Sequence, residues 1–222
     1  MCKDKWITPS LMCASIENFK ATLDTFKKEG IELLHIDVMD GEFVPNLQLG
    51  TAFVGQVREM SDIPLDIHLM INRPEDKLDW FGVREGEWVS IHYEATNHVQ
   101  RALAKIKAKG AKAMLGLNPA TPLCVLEDVL DDCDGVLIMT VNPGYAGQAL
   151  IPSTIDKIRR LREMLDSSGR SHVLIEVDGN VSFENAKIMS EAGANIFVAG
   201  SSSVFHKELT LTEGIRRLRE VL

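Results

Sequence analysis

The stretch "KKEGIELLHIDVMDG", residues 27–41, decides how this chain is to be read. It leaves a run of lysines and a glutamate, turns at Gly30, and enters an apolar segment interrupted by His35 and Asp37. A glycine there takes the left-handed conformation that ends a helix and releases the chain into a strand. Side chains alternate across a strand, so His35, Asp37 and Met39 face one side together.

The same rhythm returns in "REGEWVSIHYE", "AKGAKAMLGLN" and "EAGANIFVAGS", with Gly86, Gly110 and Gly193 at the turn. Between these strands run amphipathic stretches of helical period. "IPSTIDKIRRLREML" places Ile155, Ile158, Leu161 and Leu165 on one face. "TPLCVLEDVL" predicts a helix with Thr121 as N-cap and Pro122 at its first position, and Ser182 predicts another cap. Strands are predicted at 6–9, 33–38, 65–69, 88–92, 113–117, 135–140, 173–177 and 196–199. Seven helical patterns separate them, and an eighth, 212–221, closes the chain. Strict alternation in units of roughly 25–30 residues predicts an α/β fold of the (β/α)8 TIM-barrel type. The competitor is a doubly wound open sheet, but no Gly-rich nucleotide turn follows the first strand. With no linker or low-complexity segment, residues 1–222 are expected to form a single barrel domain.

The net charge of −8 opposes non-specific nucleic-acid binding, which needs a cationic surface. The start "MCKDKWITPS" lacks the apolar core of a signal peptide, and no later run approaches a membrane span. The four cysteines, at 2, 13, 124 and 133, form no CxxC pair or zinc-ribbon spacing, so they are expected to be reduced core or surface thiols. Cys2 offers no myristoylation signal, which needs glycine. A cytoplasmic enzyme or binding protein, with no nucleic-acid or membrane partner, is the expectation.

Barrel enzymes carry their chemistry at the C-terminal ends of the strands. At those ends stand Ser10; His35, Asp37 and Met39; Asp66, His68 and Met70; His92 and Glu94; Asn118; Met139 and Asn142; Glu176 and Asp178; and Gly200 and Ser201. Two histidines and two carboxylates, His35, Asp37, His68 and Asp178, would supply four ligands to a divalent ion such as zinc, iron, manganese or cobalt. Asp66 shares parity with His68 and is expected to orient it, since ligating imidazoles usually donate their other N–H. His92 could be structural or functional. His98, His172 and His206 are expected to be solvated.

Three glycine-bearing turns follow consecutive strands: "VNPGYAGQ" with Gly144 and Gly147, "VDGNV" with Gly179, and "AGSSSVF" with Gly200 and Ser201. The loops after strands seven and eight are where many barrels hold a phosphate, through backbone N–H groups and a short helix N-terminus. Metal at the centre and phosphate at one side suggest a small phosphorylated α-hydroxyketone. A metal can lower the pKa of bound water from about 15.7 to about 7. Even half that effect on a carbon acid would exceed a positioned base, usually worth ~10²–10⁴-fold.

From "PSLMCAS" through "HIDVMDGEFVPN", "HLMINRPE", "IHYEAT", "GLNPATP", "MTVNPGYAGQ" and "IEVDGNV" to "VAGSSSVF", the chain resembles the ribulose-phosphate 3-epimerase family over almost its whole length. The resemblance implies one divalent ion per subunit (Zn2+, Fe2+, Mn2+ or Co2+) on His35, Asp37, His68 and Asp178. It also implies an acid/base pair, Asp37 and Asp178, on opposite faces of the substrate, inverting C3 through an enediolate. Ser10 would lie near the substrate hydroxyls and Met39, Met70 and Met139 beside the enediolate, although core filling would look identical in sequence. The loop from Gly144 through Gly147 to Gln148 would be a mobile lid. Gly179, Gly200 and Ser201 would line the phosphate site. A homo-oligomer, dimer or hexamer, is implied too.

Four departures resemble the branch acting on D-allulose 6-phosphate: "LMCAS" for "LSAD", Ala146 for glycine, Asn180 after "DG" instead of a second glycine, and "GSSSVF" for "GSAIF". With C3 fixed at the metal, one more carbon moves the phosphate outward, and a side chain at 180 limits backbone approach. Drift in a D-ribulose 5-phosphate enzyme of the pentose phosphate pathway is the alternative. The "DxKxxD" strand motif of the decarboxylases in the superfamily is absent. A non-catalytic sugar-phosphate-binding barrel would also be compatible with the fold.

Overall fold

A computed structural model describes residues 5–222; Cys2 lies outside them. The strands are β1 (Trp6–Pro9), β2 (Leu34–Asp40), β3 (Leu47–Gln48), β4 (Leu65–Met70), β5 (Trp88–His92), β6 (Lys112–Leu117), β7 (Gly135–Met139), β8 (Leu174–Asp178) and β9 (Ile196–Ala199). They pair in the order β1-β9-β8-β7-β6-β5-β4-β2-β3, all in parallel except the short β2–β3 ladder. A parallel bridge between Ser10 and His35 joins β1 to β2 and closes the sheet into a barrel. The α/β barrel of the sequence reading is therefore the fold observed.

The helices are α1 (Phe19–Lys28), α2 (Thr51–Met60), α3 (Pro74–Lys77), α4 (Val99–Lys107), α5 (Ser153–Ser167), α6 (Phe183–Glu191) and α7 (Leu211–Val221). Gly30, Gly86, Gly110 and Gly193 all have positive φ, as their place between helix or turn and strand requires. Ser182 caps α6 by accepting the Asn185 N–H. In α5, Ile158, Leu161 and Leu165 are buried, and Ile155 packs at the edge of the core.

The helix predicted from Thr121 does not form. Leu123–Leu126 and Leu130–Asp132 are 3-10 turns, and Pro122 is extended with ψ 156°. The reason is tertiary: the Thr121 hydroxyl donates to Glu94 instead of capping a helix, while Leu123, Leu126 and Leu130 are buried from the turns. Between β4 and β5, α3 is a single turn followed by a 3-10 segment, and the β2–β3 hairpin had no sequence counterpart.

Strand parity divides the barrel wall. Outward residues such as Ile36, Ile67, Val89, Leu115, Ile138 and Val177 join the main apolar core. Inward residues form layers. Leu33, Trp88, Met114 and Ile196 plug one end, where Trp6 meets Trp88 edge to face. Met39, Met70 and Val44 cluster at the other, with Met12 and Phe43 against them. Between lies a buried polar layer, and it holds the site. Among the described residues, no helix is long and apolar enough to cross a membrane.

Candidate active site

The register builds the site in tiers. Across β2 and β4, His35 stands opposite Asp66, Asp37 opposite His68, and Met39 opposite Met70. Across β7 and β8, Met139 stands opposite Asp178. One ligand atom each from His35, Asp37, His68 and Asp178 lies within 4.8 Å of all the others. His35 Nε2 is 3.2 Å from Asp37 Oδ1, and His68 Nδ1 is 3.4 Å from Asp37 Oδ1 and 3.6 Å from Asp178 Oδ2. His68 Nδ1 is buried and makes no hydrogen bond among the described residues. A buried imidazole nitrogen without a hydrogen-bond partner, flanked by two carboxylates, is a place that a divalent cation fits.

Electrostatics separate the two carboxyl groups. Burial pushes Asp178 up from an ordinary 3.8 to about 7, with the Asp37 charge adding to it. Burial opposes ionisation of Asp37 too, but His35 and His68 outweigh it and hold Asp37 below the usual carboxylate range. For His35, burial disfavours the charged ring, yet Asp37 and Asp66 raise it well above 6.5. A proton on that ring and a metal ion compete for the same lone pair.

Asp66 does not orient His68 as parity suggested. Its Oδ2 lies 2.6 Å from His35 Nδ1, because the register sets Asp66 beside His35, one tier from His68. Glu176, which the sequence reading gave no role, is fully buried with Oε1 3.5 Å from His35 Nδ1. Burial and the neighbouring Asp66 hold its carboxyl well above the usual range. Its parity with Asp178 was the available signal. His92 is fully buried, with Nε2 2.8 Å from His68 Nε2.

The remaining candidates gather around one cleft of about 590 Å³. Ser10, Asp37, Met39, Met70, Met139 and Asp178 form its floor, and Ser10 Oγ donates to Asp37 Oδ2. Gly144, Gly147, Gly179, Gly200 and Ser201 line it from three loops. Gly179 has φ +116°, and a Cβ there would lie 2.6 Å from Val141 Cγ2, so only glycine fits. The 144–148 loop is tied down: Tyr145 donates to Pro45 O and Asn46 Nδ2 to Gly144 O. Asn180, at φ +47°, donates from Nδ2 to Gln148 O at 2.5 Å. Cys13 and Ala146 line the same cleft.

The fold is shared with crystal structures of KGPDC from Streptococcus mutans (TM-score 0.73, 14% identity, 98% of this chain and 96% of that one) and of 3-keto-L-gulonate-6-phosphate decarboxylase from Vibrio cholerae (TM-score 0.71, 10% identity, 99% and 97%). Sequence similarity is much greater elsewhere. Ribulose-phosphate 3-epimerase of Bacillus subtilis is 44% identical over 196 residues, 88% of this chain and 90% of that protein. The enzyme of the same name from Synechocystis is 42% identical over 204 residues, 91% and 88%. The model of the ribulose-phosphate 3 epimerase family matches residues 6–205. This chain belongs to the ribulose-phosphate 3-epimerase family, and it is an isomerase.

Proposed function

We propose that this chain, as a single barrel domain over 1–222, is a divalent-metal-dependent 3-epimerase of a small phosphorylated ketose. The observation that carries the reading is the meeting of four ligating atoms, from His35, Asp37, His68 and Asp178, beside a cleft that both carboxylates line. A bound divalent ion, Zn2+, Fe2+, Mn2+ or Co2+, would polarise the carbonyl and hydroxyl of the substrate and acidify its C3 proton.

The chain's own residues do the rest. One of Asp37 and Asp178 takes the C3 proton, and the other returns a proton to the opposite face, which inverts the centre. Ser10, bonded to Asp37, orients that carboxylate and the substrate hydroxyls. Met39, Met70 and Met139 give the planar intermediate an apolar wall that offers no competing proton. Backbone N–H groups at Gly179, Gly200 and Ser201 receive the phosphate, with the Gly144–Gly147 loop, a lid held by its bonds to Pro45 and Asn46, beside it. We extend the family resemblance to a cytoplasmic homo-oligomer, dimer or hexamer.

For the substrate we propose D-allulose 6-phosphate, converted to D-fructose 6-phosphate. The support is that Cys13, Ala146, Asn180 and Ser202, the four places where the motifs depart, all line one cleft. A second reading, D-ribulose 5-phosphate to D-xylulose 5-phosphate, has its own support in the names of relatives up to 44% identical. The test is kcat/KM for both ketose phosphates on metal-replete protein. A higher value on the hexulose upholds the first reading, a higher value on the pentulose establishes the second, and no epimerisation of either refutes both.

A further inference from the structure

β5 ends on His92, and the strand's next turn carries Glu94. His92 Nε2 lies 2.8 Å from His68 Nε2, and His92 Nδ1 lies 3.3 Å from Glu94 Oε2. The two rings are 5.0 Å apart between centroids with 28° between their planes. A face-to-face stack at that spacing would hold the nitrogens farther apart, so the rings meet end to end along the line of the hydrogen bond. Glu94 Oε1 accepts the Asn118 N–H at 2.9 Å and the Thr121 hydroxyl. The pair is closely packed on both sides. Gly116 is the register partner of His92, and a Cβ there would only touch its Cε1 and Nε2 at an ordinary contact distance of 3.4 Å, while Phe43 covers the ring with centroids 4.8 Å apart.

Donors and acceptors along this chain agree in only one direction. Two imidazole nitrogens at hydrogen-bond distance need one proton between them. If His68 offers the Nδ1 lone pair to a cation, its proton stands on Nε2, so His92 Nε2 accepts. The His92 proton then stands on Nδ1 and is donated to a carboxylate, whose other oxygen already holds two donors. The opposite tautomers would set a bare His92 Nδ1 against the Glu94 oxygen and place the His68 proton where its lone pair is needed. Glu94 is suited to its end of the chain. Burial works against its charge, but the bonds from His92, Thr121 and Asn118 prevail and bring its pKa down to about 2.

We propose that His92 and Glu94 are positioning residues that hold the His68 imidazole in one tautomer and one orientation, with Nε2–H donated outward and the Nδ1 lone pair presented to the metal. The inference rests on the metal-dependent reading above. His35 reaches the same result by a shorter route, through Asp66 directly. His68 uses a second imidazole to reach a carboxylate near the surface.

The test is the affinity for Zn2+ and Mn2+, measured by competition with a chromophoric chelator, on wild type, His92→Phe, His92→Gln and Glu94→Gln. Loss of a group that orients a metal ligand typically weakens binding ~10–100-fold, and that is the loss expected for His92→Phe. Glu94→Gln is expected to weaken binding as well, because an amide N–H2 must oppose either His92 or the Asn118 N–H. His92→Gln is expected to recover most of the affinity, since its amide can accept from His68 and donate to Glu94. In zinc-loaded wild type, long-range 1H–15N correlations should show His68 protonated at Nε2. Wild-type affinity in both His92→Phe and Glu94→Gln would overturn the proposal, as would equal losses in His92→Phe and His92→Gln. A wild type that binds neither ion would overturn the metal reading itself, a result distinct from failure of the relay alone.

Discussion

Asp178→Asn is expected to abolish turnover and yet stabilise the metal-free protein at alkaline pH. The amide keeps the shape of the side chain, which lines the cleft beside His68 Nδ1, but cannot exchange a proton. Loss of a positioned acid/base costs ~10²–10⁴-fold, and here the group also serves as a proposed metal ligand, so turnover should fall by at least that much. The stability effect follows from linkage. Burial, then the Asp37 charge, raise the Asp178 carboxyl in the folded protein from 3.8 to about 7. A raised folded-state value contributes stability that is complete below the unfolded value and is lost as pH rises through about 7. The ceiling on that loss is on the order of 4 kcal/mol. Urea unfolding of chelator-treated wild type and Asp178→Asn at pH 5 and pH 8.5 checks it. At pH 5 the folded wild-type carboxyl is still protonated while the unfolded one is already largely ionised, so the variant should lead by only about 1.6 kcal/mol. At pH 8.5 the variant should be the more stable by up to that ceiling, so its lead should widen between the two pH values. Parallel pH trends in the two proteins would refute the electrostatic argument, and near-normal epimerisation by the metal-loaded variant would refute the two-carboxylate mechanism.

Two further substitutions probe the loops. Gly179→Ala puts a Cβ 2.6 Å from Val141 Cγ2 at a φ of +116°, and should cost about 3 kcal/mol or more in a denaturant titration. Asn180→Gly keeps a backbone suited to φ +47° but deletes the bond to Gln148 O, worth about 1 kcal/mol. It should lower kcat/KM on the hexulose phosphate about fivefold relative to the pentulose phosphate, as read from parallel steady-state assays. An unchanged ratio would remove Asn180 from the account of substrate length.

The barrel and the four proposed ligands were legible because both rest on short-range regularities. Alternation put His35, Asp37 and Met39 on one face of a strand, and Gly30, Gly86, Gly110 and Gly193, all of positive φ, marked where four of the strands begin. What sequence could not supply was register. Parity placed Asp66 on the correct face of β4 but not at the correct height, and one tier decided that it serves His35 rather than His68. Glu176 was visible by parity with Asp178, but its burial against Asp66 and His35 depends on strands far apart in the chain. The helix at Thr121 was misread for a related reason: a good capping residue was taken up by Glu94, 27 residues away. His92 could be assigned no role until its nitrogen was found 2.8 Å from that of His68.

The central claim is that this site removes and returns the proton at C3. The most direct measurement is NMR of metal-replete protein incubated in D2O, separately with D-allulose 6-phosphate and D-ribulose 5-phosphate, following deuterium at C3 and the epimeric product. Solvent deuterium entering C3 together with the epimer, for at least one of the two ketoses, is the result expected. Bound metal with no exchange at C3 on either sugar phosphate would contradict the claim and leave a barrel that binds its ligand without turning it over.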